Sequence, residues 1–463
     1  MSGRDGGENL VRVLGRADVL ALAFGAMIGF GWVVLAGSWL LDAGSFGAIL
    51  AFLLGGTLVV FVGLTYSELV SAMPKVGGEH HYAWRALGSK AAFVASWGIG
   101  LGYVSVVAFE AVALPTTLEY ILPDFKTGFL WTVAGYDVYL SWVAIGVVGA
   151  VAITALNYFG IRPAAVFQTI AVLFLLGVGA LLLIGVFVGG EAANFRPFFA
   201  GDFSVSVAGI LAVVIATPFL FVGFDVIPQS AEEINLPYRQ IGALLVVSVL
   251  MASAWYILII VGVGSGMSQG QLEETSLATA DAIGNLFGSA FFSNLLILGG
   301  VAGILTSWNS FMVGGSRIFY AMAESGMLPR WLGRLHPKYR TPSNAILLIG
   351  GLSVLAPFFG DSALGWLVNA GGLGIVIAYF LVALSFLFLR RNEPEMERPF
   401  RAGRGPAIGI IAAVLSVGIA VQYLPGMPAG LGAPEWVIVG VWSVVGLVFL
   451  LLMDVPEYDR SGD

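Results

Sequence analysis

The sequence contains no cysteine and only three histidines, His80, His81 and His336, all in polar connecting stretches. Disulfides and thiolate metal sites are therefore excluded. No histidine cluster can bind a metal within the apolar segments, and a membrane-embedded enzyme would lack a His pair, a Cys or a Ser–base arrangement there. Charge is also scarce. Only 11% of the 463 residues are charged, against about a quarter in soluble domains. Lysine is rarer still, at four against seventeen arginines. The net charge of −7 gives no nucleic-acid signature, because the basic residues flank apolar runs and form no single patch.

What the chain has in excess is apolar sequence, 58% of its residues. The runs recur at lengths near 20 residues, which is what a bilayer demands of a helix. The first run, of about 23 residues, is too long for a signal-peptide core and lacks a small-residue cleavage site, so it is expected to be retained. Twelve spans are predicted, over 18–42, 46–71, 91–121, 139–158, 163–189, 205–230, 240–264, 286–322, 342–359, 364–390, 406–425 and 434–453. Nineteen of the 21 Lys and Arg fall on the side of the N-terminus and the odd-numbered loops, leaving Lys126 and Arg196 opposite. By the positive-inside rule both termini are cytoplasmic, in a cell (plasma) membrane. The opposite face carries eleven acids against those two bases, which suits either a high-salt exterior or ordinary loop variation.

Two spans carry internal breaks. FGAMIGFGW (24–32) holds Gly25, Gly29 and Gly31 in the middle of the first span. Glycine costs a helix about 1 kcal/mol relative to alanine. In lipid, each backbone group freed by a break costs on the order of several kcal/mol unless something binds it. TPFLFVGFD (217–225), in the sixth span, combines Pro218, Gly223 and a carboxylate, Asp225. Interrupted helices at corresponding places in two halves point to a solute site between inverted repeats. The predicted fold is an all-α membrane protein. It has twelve transmembrane helices, a five-plus-five inverted repeat with discontinuous helices one and six, and two C-terminal helices. Its parts are a tail (1–17), a first repeat (18–189), a second repeat (205–390), a linker (391–405), the last two helices (406–453) and a tail (454–463).

Five blocks in register resemble the amino acid–polyamine–organocation permease superfamily, over about residues 15–405. They are GAMIGFG (25–31), YSELVSAMPKVGGEHHYA (66–83), GFDVIPQSAEEINLPYRQIG (223–242), TSWNSFMVGGSRIFYAMAESGMLP (306–329) and RRNEPEMERPFRA (390–402). The resemblance implies secondary active transport of an amino acid or related small amine by alternating access, as symport or exchange. A nutrient sensor or assembly subunit sharing the fold is the alternative. Expected partners are the small solute and membrane lipid, with no nucleic acid; oligomeric state is not legible.

The resemblance places a substrate carboxylate on the N–H groups of Gly29, Phe30 and Gly31, and its amine near the carbonyls of Met27 and Ile28. Helix dipole and free N–H groups favour an anion there; close packing of Gly25 and Gly29 against another helix is the competing use. Relatives often have Ser or Thr where this chain has Phe30. The change removes a hydroxyl donor and adds bulk that narrows the pocket or alters the substrate. The carbonyls of Phe219, Leu220, Phe221 and Val222 map onto ammonium acceptors, and Phe224 onto an aromatic lid. Selectivity is expected from spans three, eight and ten. Glu110 and Asp225, acids at membrane depth, are candidate proton carriers, although Asp225 can equally serve freed N–H groups and Glu110 tether helices. Glu68, with Glu232 and Glu233 nearby, is the gate candidate at the cytoplasmic end.

No cofactor is expected beyond a coupling ion, Na+ or H+. Leu175 stands where many relatives carry a lysine proton switch. Thr306 and Ser307, with the carbonyls of Ala26, Gly29 and Gly303, outline a possible sodium cage, unless the hydroxyls bond back to their own helix. Gly29→Leu is expected to abolish transport while leaving membrane insertion intact; normal uptake by that variant counts against the site.

Overall fold

A computed structural model describes residues 10–275, 277–427 and 430–452. Residues 1–9 of the first predicted tail, the whole of the second (454–463) and position 453 of the last predicted span lie outside them. The chain is almost entirely helical, with one two-stranded hairpin among the described residues. Among the described residues, nine helices are long and apolar enough to cross a membrane. Two shorter apolar helices and the broken first span complete the predicted set.

Span one runs as three pieces, Arg16–Met27, Gly31–Val34 and Ala36–Ala43. Spans two to five are Ser45–Ala72, Ser89–Ile121, Leu140–Tyr158 and Ile161–Gly189. Span six is Phe203–Leu220, then Val226–Gln229 after a break. Tyr238–Gly266, Ala290–Glu324, Ser343–Leu355 and Ala363–Asn392 are spans seven to ten, and Ala407–Gln422 and Ala433–Leu452 are the last two. The first break falls on its glycines; the second opens at Phe221 and takes in Gly223, while Pro218 lies within the preceding helix. The second interruption of span one, at Leu35, carries no such marker.

Short elements between spans were not foreseen. The helix Glu79–Leu87 follows span two, and Ala278–Phe287 precedes span eight, separated from it by left-handed Gly288. The strands Phe129–Val133 and Tyr136–Tyr139 pair as a hairpin between spans three and four. His80, expected in a polar stretch, is buried in Glu79–Leu87 with Nδ1 3.0 Å from Ser96 Oγ.

Two ends of the bundle can be distinguished. The tail side gathers residues 10–15, Glu79–Leu87 and the linker after span ten. There Val13 and Leu14 donate backbone N–H groups to Glu233 O at 2.9 and 3.0 Å, and Asn235 N donates to Leu14 O at 2.9 Å. The other end carries the hairpin. Side chains facing outward along the spans, such as Leu54, Val148, Ile170 and Leu250, are apolar and exposed, as a lipid-facing surface requires.

The breaks of spans one and six meet. Gly223 has φ +128°, and a Cβ placed there would lie 2.4 Å from Ala26 Cβ and 3.0 Å from Ala26 C. Only glycine satisfies both the backbone angle and this approach. Gly223→Ala is expected to cost about 1–3 kcal/mol through strain and overpacking, read as a lower unfolding midpoint of purified protein; an unchanged midpoint would show that the two breaks do not touch.

Candidate substrate site between the broken helices

Backbone groups opened at the two breaks are satisfied by side chains from neighbouring spans. The Tyr256 hydroxyl, from span seven, lies 2.8 Å from Met27 O and 3.1 Å from Leu220 O, bridging the last carbonyls before both breaks. Asp225 Oδ1 accepts from Gly223 N at 2.8 Å. Upstream in span one, Ser310 donates to Leu22 O at 2.9 Å and Thr306 to Gly25 O at 3.2 Å. Gln168 Nε2 donates to Ala21 O at 3.0 Å and is held through Asn309 to Asn157, so spans four, five and eight brace the first half-helix. By contrast, the N–H groups of Gly29, Phe30 and Gly31 make no turn or cap hydrogen bond among the described residues. They are the free donors a carboxylate needs.

A cavity of about 30 Å³ lies against this stretch, lined by Ala26, Met27, Gly29, Phe30, Gly31, Val106, Phe109, Glu110, Phe219, Leu220, Val222, Tyr256, Ser307 and Phe311. That is room for a water or two; an amino acid requires the walls to part. Glu110 is its only charged lining residue. A Cβ on Gly29 would sit 2.6 Å from Glu110 Oε1 and 3.0 Å from Ser307 Oγ, so glycine there keeps the acid and the backbone donors side by side. The other carboxylate oxygen of Glu110 is buried without a partner.

Most of the predicted residues converge here. Met27, Gly29, Phe30, Gly31, Phe219, Leu220 and Val222 line the cavity, as do Ala26, Ser307 and Glu110. Ile28 and Gly303 are not lining residues; they pack on each other, a Cβ on Gly303 falling 2.7 Å from Ile28 O. Phe221 is not a lining residue; its ring turns to Phe52 and Tyr256, leaving only its backbone in the break. Phe224 also leaves the wall. It packs against Tyr66 and Tyr379, each 5.4 Å between centroids. Asp225 lies outside the lining, where it serves Gly223 N. Thr306 bonds back to Gly303 O at 2.9 Å as well as to Gly25 O, the use that competes with a sodium cage. Leu175 is buried in span five.

Glu68 does not face the cavity. It binds Arg390 and Arg398, at 2.8 and 3.1 Å to Oε1, and accepts from Ala402 N at 2.8 Å, tying span two to the linker. Across the tail-side mouth it is Glu233 that pairs with Arg317 in span eight, through bonds of 2.8 and 2.9 Å. Both are buried to 1% exposure. On the hairpin side, Phe30, Phe109 and Phe219 form an aromatic plug, with centroids 6.1 and 6.0 Å apart. It separates the cavity from a vestibule of about 360 Å³. Span ten contributes to the vestibule but not to the inner lining, while span seven, through Tyr256, does. Tyr256 stands in the middle of span seven, where a buried hydroxyl needs a partner.

The amino acid permease family model matches residues 18–454. The chain belongs to the amino acid permease family. This permease is 27% identical over 459 residues to a branched-chain amino acid permease, BcaP, of Bacillus subtilis, covering 96% of this chain and 94% of that one. It is 24% identical to a methylthioribose transporter of the same organism, over 97% and 95% of the two chains. It is 26% identical to the lysine-specific permease LysP of Escherichia coli, over 88% and 85%. The permease is thus a multi-pass membrane transporter and not an enzyme. No group of three His, Cys, Asp or Glu side chains able to hold a metal occurs among the described residues.

Tyr256→Phe removes the hydroxyl shared by both breaks. Each lost hydrogen bond is worth about 0.5–1.5 kcal/mol, so substrate affinity is expected to fall by about tenfold with little change in expression; affinity equal to wild type would show that the bridge does not shape the site.

Proposed function

We propose that the permease moves a neutral amino acid with an apolar side chain by alternating access around the two breaks. The observation that carries this reading is the juxtaposition of free donors at Gly29–Gly31 with the carboxylate of Glu110 in one closed, largely apolar cavity. The substrate carboxylate takes the N–H groups. Its ammonium takes Glu110 and the carbonyls of Met27, Ile28 and the Phe219–Val222 stretch, which are acceptors only. Val106, Phe109 and Phe311 face the side chain. The branched-chain permease of B. subtilis is named for substrates of this kind.

In this reading the Phe30–Phe109–Phe219 plug is the outer gate. The inner gate is Phe224 together with the Glu233–Arg317 pair. The two halves, 18–189 and 205–390, rock as inverted repeats in a plasma membrane, with both termini cytoplasmic. Coupling falls to a proton on Glu110, supported by its unpartnered oxygen in the cavity. Sodium at Thr306 and Ser307 is the second reading, supported by their position beside the first break.

Uptake of radiolabelled leucine into proteoliposomes tests the proposal, with and without proton and sodium gradients. Valine and isoleucine are expected to compete better than lysine or arginine. Thr306→Ala with Ser307→Ala is expected to leave uptake ion dependence unchanged, and loss of a sodium dependence in that variant would move coupling to the hydroxyl pair. No uptake or exchange of any amino acid under any gradient would overturn the reading.

A further inference from the structure

A second polar cluster lies on the tail side of the Phe224 closure, apart from the cavity. Glu79, on the short helix after span two, is 0% exposed, and neither of its carboxylate oxygens has a hydrogen-bond partner among the described residues. Asp225, also 0% exposed, keeps Oδ2 unpartnered. The two carboxyls lie within electrostatic reach of each other. The Gln229 side chain stands by Glu79, and the Tyr103 hydroxyl by Asp225, yet neither Gln229 amide atom nor that hydroxyl meets a partner in hydrogen-bond geometry. Three more buried tyrosine hydroxyls complete the cluster. Those of Tyr66, Tyr82 and Tyr379 are all buried and without a hydrogen-bond partner among the described residues. The rings confirm the convergence, with Tyr66 at 6.4 Å from Tyr82 and 5.9 Å from Tyr379 between centroids.

Each buried polar atom left without a partner costs about 1–3 kcal/mol, and more if charged. Such groups in a native protein call for water or an ion. This set is almost wholly oxygen: two carboxylates, four phenols and one amide. Among the described residues no salt bridge reaches either carboxylate, and Arg317 is committed to Glu233. The short helix also carries His80, which bonds Ser96 through Nδ1, His81, whose ring lies 5.1 Å from that of His80, and Arg85, which pairs with Glu393 at 2.7 Å.

We propose that Glu79 and Asp225, with the ring of tyrosine hydroxyls and Gln229, form a binding site for one small monovalent cation. The chemistry suits an alkali-metal ion or a primary ammonium, since both are singly charged and prefer several oxygen acceptors. The site joins spans two, three, six and ten to the short helix, so an occupant draws together the elements that close the tail side. Burial, with Asp225 beside it, pushes the Glu79 carboxyl well above the usual carboxylate range. Protons therefore compete with the cation, and binding strengthens as the pH rises. The site does not depend on the substrate or coupling assignments above.

The test is thermal unfolding of the purified full-length protein in nanodiscs at mildly alkaline pH, without substrate. Sodium, potassium and methylammonium chlorides are titrated against N-methylglucamine chloride at equal ionic strength. At least one of the three is expected to raise the midpoint saturably, and N-methylglucamine is not. A response to sodium or potassium alone identifies an alkali-ion site, and one to methylammonium alone an ammonium site. Glu79→Gln is expected to remove the saturable response. Tyr82→Phe, a milder change, is expected to weaken it by about threefold to tenfold, the worth of one hydrogen bond. No saturable response to any of the three cations would overturn the proposal. So would a response unchanged in Glu79→Gln and Tyr82→Phe, or one abolished instead by Thr306→Ala with Ser307→Ala.

Discussion

A backbone opened in the middle of a bilayer has no water to bond to, so every freed group must find a protein or solute partner. The Tyr256 hydroxyl answers this for the two carbonyls that end the first halves of spans one and six. Asp225 answers it for Gly223 N. The N–H groups of Gly29, Phe30 and Gly31 make no turn or cap hydrogen bond among the described residues, and in the proposed reading they receive the solute. The arrangement of the whole bundle follows from this division. Spans four, five and eight hold the first half-helix through Asn157, Asn309 and Gln168. Span three brings Glu110, and the outer helices Ala407–Gln422 and Ala433–Leu452 stand apart from the site.

Closure on both sides of the cavity is achieved by different physics. On the hairpin side three phenylalanine rings meet, a contact that can open by rotation of side chains and tilting of helices at little electrostatic cost. On the tail side a buried, doubly bonded Glu233–Arg317 pair is reinforced by the strand-like stretch at Val13–Leu14. Breaking such a pair by removing one partner costs about 3–5 kcal/mol. The larger void, the vestibule, lies on the other side of the phenylalanine plug from the cavity.

The two breaks were legible in the chain because Gly, Pro and a membrane-depth acid are so poorly suited to a continuous helix in lipid. The expected contacts at Met27–Gly31 and Phe219–Val222 came from the family resemblance laid over those breaks, and Glu110 was singled out by the same cost argument. Other features left weaker traces. Tyr256 reads as one aromatic among many until its hydroxyl is placed. Phe221 and Phe224 share a break with Leu220 but point elsewhere, because a broken helix has no fixed period from which to read direction. Glu68 and Glu233 look equivalent as acids at span ends, and only packing shows that one holds the linker and the other the mouth. Glu79 was hidden in a polar run, GGEHHYA, whose composition suggests solvent where the fold provides burial. The hairpin had a signal, two β-prone runs around Ala134–Gly135, both at positive φ as a tight primed turn requires.

The central claim is that a substrate carboxylate rests on the main-chain donors of the first break. Cryo-electron microscopy of the permease saturated with a transported amino acid tests it most directly. The account predicts carboxylate density within about 2.7–3.2 Å of the nitrogens of Gly29–Gly31, with the ammonium toward Glu110 and the carbonyls of span six. Substrate density elsewhere, or spans one and six wound without interruption, would contradict it.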